Sequence, residues 1–518
     1  MPLLPRATVA LLLTLAAGAH SSHVVELGLS RVPSPELPEP RLALARRATY
    51  AQEIINYIAG GGYYVQVGVG NPPQNLTMLL DTGSSDSWVL GHDADICNSP
   101  DLQAIHGLGP CIDTFNPSKS STTHMIKRDG FRITYLDGRS ASGHYISDDF
   151  SIGGATVRAL QMAYVTRAVR TTGILGLGFS VSERAATKYP NLMDELFNQG
   201  AIGCKAYSLY LNDRRTDAGS ILFGGVDTDK FIGSLDILPL QRPAGSAPGT
   251  NISSFEIEFE SVSLAFSNGT ADLALSTSLL DHPAPAVLDS GSTLSYIPDK
   301  LAQPIFSSLG TVFDPALNLT LIDCAYADSS PSTQPPLRHI TFTFPPTTQI
   351  LVPLWSLVLD ILPANYTPPI PIPDHINKTC VFGLQSTALL SSKNNKGKEE
   401  KPYTLLGDTF LRSAYVVYDL THAQIGLAQA NLNSTGSSVV ELSADSDGLP
   451  KLTGVTAQQT TFTPTPTPRA LGNGNGAKGE ENGAAGRVES LGGLILVAFM
   501  TALWTMVGGA AFFVTSWC

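Results

Sequence analysis

Charged residues are scarce in this chain of 518 residues. Lys, Arg, Asp and Glu make up 15% of it, and the 44 acidic residues outnumber the 32 basic ones, so the formal net charge is −12. A nucleic-acid-binding protein normally carries a basic face. An intrinsically disordered chain has more charge and fewer apolar residues than the 43% present here. Composition therefore argues against both classes.

Several catalytic and metal-binding motifs are also missing. The sequence has no His-Glu-x-x-His zinc motif, no Gly-x-Ser-x-Gly nucleophile elbow and no Cys-x-x-Cys pair. These absences argue against a zinc protease and against a serine hydrolase. We expect neither a metal ion nor a cofactor.

Long charged and periodic stretches, which are typical of helical proteins, are rare. The chain instead has 47 Gly and 36 Pro, and from residue 63 to residue 430 short β-branched and aromatic segments alternate with turn residues. This pattern predicts a mostly β body. The polar insertion at residues 391–401 is predicted to be an exposed loop, open to cleavage into two chains.

The amino terminus has the pattern of a secretory signal peptide at residues 1–19. Arg6 supplies the positive charge, residues 9–16 are apolar, and small residues at 17–19 offer a cleavage site. Residues 20–47 end in two arginines, which predicts a propeptide cut by the enzyme itself or by a convertase. The mature amino-terminal segment is then 48–62.

The carboxyl terminus is predicted to hold the protein at the cell surface. Residues 431–490 are rich in Ser, Thr, Gly and Pro, which is typical of a stalk, and residues 491–518 form a hydrophobic tail. The tail is long enough to span a bilayer, but no Lys or Arg follows it and small residues precede it at Asn482, or alternatively at Asn475. We therefore favour a glycosylphosphatidylinositol (GPI) anchor over a transmembrane helix. The expected location is the outer leaflet of the plasma membrane or the cell wall.

Glycosylation sites and cysteines agree with export. Of six cysteines, Cys518 lies in the tail, and the other five are an odd number. We predict the disulfides Cys97–Cys111 and Cys324–Cys380, with Cys204 left as a buried free thiol. Asn-x-Ser/Thr acceptors occur at seven positions: Asn75, Asn251, Asn268, Asn318, Asn365, Asn377 and Asn433.

One short motif occurs twice. Residues 79–85, LLDTGSS, recur 208 residues later as residues 287–293, VLDSGST. Each copy is followed downstream by two apolar residues and a glycine, at 174–176 and at 405–407. Two related lobes, 63–240 and 241–430, are the simplest explanation.

Each copy of the motif delivers one acid to a tight turn. The strand before it is apolar, the glycine permits the turn, and the Thr or Ser hydroxyls are expected to hold the carboxylate of Asp81 or Asp289. If the lobes face each other, the two carboxylates share one proton. Such a pair acts as base and acid together when water attacks a peptide carbonyl.

These paired motifs resemble those of the pepsin-like aspartic proteases, over residues 63–430. The resemblance implies a bilobal β fold with the cleft between two related lobes, a catalytic pair Asp81 and Asp289, and peptide substrates. It also implies that Gly176 and Gly407 pack behind the catalytic loops. The residues expected to support the pair are Ser84, Ser292, Thr82 and Ser290.

Residues 131–138 resemble the flap hairpin that closes over the substrate in this family. The resemblance implies that Tyr135, Asp137 and Gly138 belong to the flap, and that Trp88 is the partner of the flap tyrosine. Without the family, an aromatic residue in a strand is usually part of the core.

The whole arrangement is most similar to fungal yapsin-type proteases, which are cell-surface enzymes that cleave at basic residues. Asp137 could attract a basic side chain, although Asp-Gly is a common turn pair and Arg139 opposes that charge. We expect a monomeric, anchored aspartic endopeptidase. The alternative is a non-catalytic surface or wall glycoprotein on the same fold, which leaves the duplicated motif unexplained.

Overall fold

The computed structural model describes eleven segments: residues 24–29, 54–56, 62–106, 108–135, 138–214, 219–242, 251–267, 272–328, 338–362, 366–390 and 404–456. Several predicted features lie outside these segments: the signal peptide, the dibasic site, Asp137, Asn268, Asn365, the 391–401 loop, both candidate anchor sites and the hydrophobic tail. Within the described segments, no helix is both long and apolar enough to cross a membrane.

The first half of the described chain is built mainly from strands. They are β1 (Val25–Leu29), β2 (Ile54–Asn56), β3 (Tyr63–Val69), β4 (Gln74–Asp81), β5 (Trp88–Leu90), β6 (His124–Thr134), β7 (Ser140–Ile152), β8 (Ala155–Ala168), β9 (Gly173–Gly176), β10 (Ala206–Tyr210), β11 (Gly219–Phe223), β12 (Gly225–Asp227) and β13 (Phe231–Pro239). Three short helices accompany them: α1 (Asp95–Asn98), α2 (Pro100–Ile105) and α3 (Leu192–Asn198).

The second half follows the same plan. Its strands are β14 (Glu256–Ser267), β15 (Asp272–Leu288), β16 (Ser295–Ile297), β17 (Val312–Asp314), β18 (Leu319–Asp323), β19 (Arg338–Phe344), β20 (Thr348–Pro353), β21 (Val358–Leu359), β22 (Thr379–Phe382), β23 (Leu384–Ser386), β24 (Thr404–Leu406), β25 (Ala414–Asp419), β26 (Gln424–Ala430) and β27 (Val439–Glu441). Its helices are α4 (Asp299–Leu309) and α5 (Asp408–Leu411).

Three large sheets organise the molecule. The amino-terminal lobe contains an eight-stranded sheet in the order β2-β3-β4-β9-β5-β8-β7-β6, and the carboxyl-terminal lobe a seven-stranded sheet in the order β20-β19-β14-β15-β24-β16-β23. A six-stranded sheet, β1-β11-β10-β25-β26-β13, takes strands from both halves of the chain. The prediction of a mostly β fold is confirmed.

The duplicated motif has the same surroundings in both lobes. β4 pairs in parallel with β9, and β15 pairs in parallel with β24. The glycines that end β9 and follow β24 are needed for close packing, since a Cβ on Gly176 would lie 2.7 Å from the Asp86 carbonyl oxygen and one on Gly407 would collide with the carbonyls of Ser292 and Leu294. The loops of both Asp-Thr/Ser-Gly motifs are thus backed by equivalent backbone.

Aromatic side chains join the shared sheet to the carboxyl-terminal lobe. The rings of Tyr207 on β10 and Tyr418 on β25 stack with centroids 4.8 Å apart, and Phe255 packs edge-on against Tyr418 at 4.8 Å. All three are buried. Each such ring buries enough apolar area to contribute about 2 kcal/mol or more, so these contacts stabilise the packing of the carboxyl-terminal lobe on the shared sheet.

The folded body extends further than the sequence predicts. β27 pairs with β12, Leu442 and Leu449 are buried, and residues 453 and 455 form bridges to residues 234 and 232. The predicted start of the stalk at residue 431 is therefore too early. A few apolar residues spaced among Ser and Gly suffice to pack residues 431–456 on the body, which composition alone does not reveal.

Part of the predicted propeptide is also a strand of the body. β1 lies at the edge of the shared sheet and pairs antiparallel with β11, from Val25 opposite Phe223 to Leu29 opposite Gly219. Val24 and Val25 are buried. In the uncut chain this segment therefore completes the sheet.

The cysteines pair as the sequence analysis predicts. Disulfides join Cys97 to Cys111 and Cys324 to Cys380, and Cys204 is free and buried. The first disulfide closes a short loop in the amino-terminal lobe. By restricting the unfolded chain, it is expected to add about 3 kcal/mol to the free energy of unfolding.

Candidate active site

Asp81 lies at the end of β4, on the turn formed by the first motif. It is buried, with 5% of its surface exposed. The Gly83 backbone N–H donates to its Oδ1 at 2.9 Å, and the Ser84 hydroxyl donates to its Oδ2 at 2.5 Å. Both carboxylate oxygens therefore have a donor from the same turn, which fixes the orientation of the group.

Asp289 has the same surroundings in the second lobe. It is 7% exposed, the Gly291 N–H donates to its Oδ1 at 2.8 Å, and the Ser292 hydroxyl donates to its Oδ2 at 2.7 Å. The two motifs thus give the same arrangement of donors around two different carboxylates.

The two carboxyl groups face each other across the lobe interface. A Cβ placed on Gly83 would lie 2.6 Å from Cγ of Asp289, and one placed on Gly291 would lie 2.7 Å from Cγ of Asp81. Each motif glycine therefore borders the carboxyl group of the other lobe. No larger residue fits at either position without displacing an acid.

Thr82 and Ser290 hold the two loops together rather than holding the carboxylates, which corrects the expectation from the sequence. The Ser290 N–H donates to Thr82 Oγ1 at 2.9 Å, and the Thr82 N–H donates to Ser290 Oγ at 3.2 Å. Their hydroxyls donate to Leu288 O and Leu80 O, each at 2.9 Å. The side chains point into the buried lobe interface, where unpaired backbone groups would be costly, so the hydroxyls satisfy backbone groups.

Burial and charge act together on this carboxyl pair. Burial and, to a smaller extent, the neighbouring Asp289 carboxylate raise the pKa of Asp81 to about 7, against the opposing effects of Ser84, Gly83 and Arg170. Two close carboxyl groups cannot both ionise easily. Below neutral pH the pair therefore holds one proton that both oxygens can share.

The hairpin of β6 and β7 ends beside this pair. Trp88 is fully buried, and its Nε1 donates to the Tyr135 hydroxyl at 2.7 Å. Gly138 has a φ of +78°, and its N–H donates to Tyr135 O at 3.0 Å, so the hairpin turn depends on a left-handed glycine. The structure thus brings Trp88, Tyr135 and Gly138 together, while Asp137 lies outside the described residues.

Sequence reasoning missed Arg170 in this region. Its guanidinium carbon lies 4.9 Å from the centroid of the Tyr135 ring, and its charge reaches Asp81. The only signal was a basic residue a few positions before the Ile174-Leu175-Gly176 segment. A cation–π contact of this kind helps to hold the hairpin over the carboxyl pair.

A second buried acidic group lies behind the hairpin. The Asp86 carboxylate accepts from the hydroxyls of Tyr145 at 3.0 Å and Tyr189 at 3.2 Å, and from the Arg184 N–H at 2.7 Å. Burial raises its pKa, and burial also raises the pKa of nearby Glu183 to about 8. A pocket next to the first motif runs along this side and is lined in part by Gly83, Ser85, Ile133, Arg184, Ser254 and Val287.

The second carboxylate also has a buried acid behind it. Asp408 is fully buried, and its N–H donates to Ser292 O at 2.8 Å. Burial raises its pKa well above the usual range, Arg412 opposes this shift, and Asp289 adds to it. Arg412 Nε donates to the Tyr63 hydroxyl at 2.9 Å. Arg412 therefore links Asp408, which borders the loop of the second motif, to strand β3 of the first lobe. The sequence signal that could have identified Asp408 is its position directly after Leu405-Leu406-Gly407.

Comparison with known proteins identifies related chains. A family model for "Eukaryotic aspartyl protease" matches residues 62–430. The chain is 34% identical over 427 residues to "Probable aspartic-type endopeptidase OPSB" of Trichophyton verrucosum, covering 81% of this chain and 79% of that protein. It is 32% identical over 396 residues to "Secreted aspartic protease 8" of Candida albicans (76% and 81%), and 29% identical over 479 residues to "Aspartic proteinase 3" of Saccharomyces cerevisiae (79% and 77%).

Proposed function

Because the chain belongs to the eukaryotic aspartyl protease family and is an aspartic-type endopeptidase, we propose that Asp81 and Asp289 are its catalytic pair. The observation that carries this proposal is the mutual approach of the two motifs, in which each glycine borders the opposite carboxyl group. Two buried acids with matched donors form a site suited to sharing one proton.

The proposed reaction uses a water molecule held between the two carboxyl groups. The ionised acid takes a proton from this water while the water oxygen bonds to the peptide carbonyl carbon. The protonated acid gives its own proton to the carbonyl oxygen. The acid that took the water proton then gives it to the amide nitrogen, and the C–N bond breaks as the other acid takes back a hydroxyl proton from the tetrahedral carbon. A carboxylic acid and an amine are released. Ser84 and Ser292 keep the carboxylates oriented during both steps.

The hairpin with Tyr135 is proposed to close over the bound peptide. The Tyr135 hydroxyl already accepts a hydrogen bond from buried Trp88, so the Tyr135 ring has a fixed resting position at the edge of the site. Closing this hairpin would exclude water from around the carboxyl pair and would strengthen its electrostatic interactions with the substrate.

We further propose that the protein is a secreted, GPI-anchored monomer with signal peptide, propeptide, stalk and tail as predicted, the stalk beginning after residue 456. Homologues include a protein named as a secreted aspartic protease, which supports export. The acceptor asparagines within the described residues are all exposed, which supports glycosylation. They are Asn75, Asn251, Asn318, Asn377 and Asn433.

We also propose that the enzyme prefers basic residues beside the cleaved bond, because the Asp137 carboxylate attracts their side chains. Arg139 and Arg170 lie on or beside the same hairpin and oppose it. In a peptide library cut by the processed enzyme, we expect Asp137→Asn to reduce the preference for Lys and Arg by about threefold, since one charge contact is removed. Arg139→Gln is the matched control and should sharpen the preference. An unchanged cleavage pattern in Asp137→Asn would remove Asp137 from the proposal.

The same library tests the function itself. Cleavage between about pH 3 and pH 7 that pepstatin abolishes is the expected result, because the catalytic pair needs one shared proton. Maximal activity at about pH 8 or above would contradict the shared-proton mechanism. A folded and fully processed protein that cuts nothing would favour the alternative, a non-catalytic surface or wall glycoprotein on this fold.

Gly83→Ala is expected to lower kcat/KM about 100-fold or more. The new methyl group would lie 2.6 Å from Cγ of Asp289, so the acid must move by a sizeable fraction of an ångström, and misplacement on this scale costs about that factor. Gly109→Ala is the matched control, because a Cβ there meets no atom within 4 Å. Activity of Gly83→Ala within about threefold of wild type would show that the two loops do not approach as closely as described.

A further inference from the structure

A second cluster of reactive side chains lies at one end of the shared sheet, outside the candidate active site. Cys204 comes just before β10, Asp419 ends β25, and His422 lies in the turn between β25 and β26. The first residue of β10, Ala206, pairs with Asp419, so the sheet register itself brings these three side chains together.

The donor atoms of the three residues lie close to one another. Cys204 Sγ is 3.9 Å from Asp419 Oδ1, and His422 Nδ1 is 2.7 Å from Asp419 Oδ2. One donor atom from each residue lies within 4.8 Å of the other two. Cys204 is 1% exposed, Asp419 is fully buried, and the His422 side chain is 15% exposed, so the cluster is enclosed with one side open to solvent.

The surrounding groups are those that a metal-binding site needs. The Lys205 N–H and the Cys204 thiol both donate to Thr421 Oγ1, at 3.1 Å and 3.3 Å. Once the thiol has lost its proton, the Thr421 hydroxyl can donate to the thiolate instead. The His422 Nε2 atom is buried and has no partner at normal hydrogen-bond geometry, but it faces the backbone of Ala444 and Ser446. Histidine ligands commonly present their second ring N–H to a backbone carbonyl in this way.

We propose that Cys204, Asp419 and His422 form a zinc-binding site. The Cys204 Sγ, one oxygen of Asp419 and Nδ1 of His422 would supply three ligands, and water the fourth, which is a ligand set and coordination number that Zn²⁺ prefers. The thiolate ligand disfavours Mg²⁺ and Ca²⁺, which bind oxygen.

The binding step is a simple exchange. The Cys204 thiol loses its proton to solvent as the Zn–S bond forms, and the hydrogen bond between His422 Nδ1 and Asp419 is replaced by bonds from both residues to the ion. His422 then holds its proton on Nε2, toward the backbone of residues 444 and 446.

The proposed site would fasten the last packed segment of the chain to the shared sheet. The Ala444 N–H donates to Gly203 O at 3.0 Å, next to Cys204, and the backbone of Ala444 and Ser446 faces His422. A bound ion would therefore hold residues 443–446 against the shared sheet, within the packed segment that precedes the predicted stalk, and would add stability as any ligand of the folded state does.

Cobalt is the probe that tests the site, because a Co²⁺–thiolate bond gives a near-ultraviolet charge-transfer band. The full-length protein is freed of metal by a chelator at neutral pH and titrated with Co²⁺ alone. We expect one Co²⁺ per chain with this band, its displacement by Zn²⁺, and a rise in melting temperature with Zn²⁺. Cys204→Ser should lack the band, and His422→Asn should bind Co²⁺ at least about tenfold more weakly.

His144→Gln is the matched control. The His144 side chain is 18% exposed, close to the 15% of His422, and lies 3.5 Å from the carboxylate of Asp129, so it pairs with an acid but not with a cysteine. This variant should bind Co²⁺ as the wild type does. Melting in the presence of chelator shows whether each variant is folded. A wild-type protein without the charge-transfer band, or a band that persists in folded Cys204→Ser, would overturn the proposal and leave the cluster as a buried Asp–His pair beside a neutral thiol.

Discussion

Asp289→Asn is expected to lower kcat by about 10,000-fold with little change in KM. The asparagine keeps the size of the side chain and can still accept the Gly291 N–H, but it can neither take a proton from water nor share one with Asp81. Asp81→Asn should have the same effect for the same reason. The double variant should be no slower than either single one, since the two acids act as one unit.

The measurement is kcat and KM for one peptide at the optimal pH, with folding checked by circular dichroism. Asp360→Asn is the matched control, because Asp360 is a half-exposed carboxylate paired with Lys378 on the surface and should leave kcat unchanged. Residual activity of Asp289→Asn above about 1% of wild type, after contaminating wild-type enzyme is excluded, would remove this residue from the catalytic pair.

The two Asp-Thr/Ser-Gly motifs were visible in the sequence because their chemistry is local. An apolar strand, an acid, a hydroxyl and a glycine within a few residues predict one turn, and the repeat 208 residues later predicts its partner. The donors from Ser84 and Ser292 follow from the same spacing. The spacing could not predict which way the side chains of Thr82 and Ser290 point, because the hydrogen-bond partners of each belong to the opposite lobe.

Residues that act across long sequence separations were missed for the same reason. Arg412 bonds to Tyr63, 349 positions away, and nothing in the sequence near either residue predicts that contact. The packing of residues 431–456 was missed because its few buried residues, among them Leu442 and Leu449, are diluted in a composition typical of a stalk. Tertiary contacts decided both cases, and local patterns carry little information about them.

Asp81→Asn is expected to be more stable than the wild type at neutral pH, although we expect it to be inactive. The pKa of Asp81 is raised to about 7 in the folded enzyme, whereas an unfolded chain has an Asp pKa of about 3.9. Between these values the folded state binds more protons than the unfolded state, so wild-type stability falls as pH rises through this window. At pH 7 and above, the full penalty is about 4 kcal/mol at most, and below about pH 4 it vanishes.

Replacing the carboxyl group with an amide removes this penalty, so the melting temperatures of Asp81→Asn and wild type should agree near pH 4 and separate as pH rises. Glu183→Gln separates stability from catalysis. Burial raises the pKa of Glu183 to about 8, so this variant should also gain stability at neutral pH, yet it should keep its activity because Glu183 lies outside the carboxyl pair. If the difference in melting temperature between Asp81→Asn and wild type does not change with pH across this range, the pKa of Asp81 is the same in the folded and unfolded enzyme. The site would then lack the shared proton on which the proposed mechanism depends.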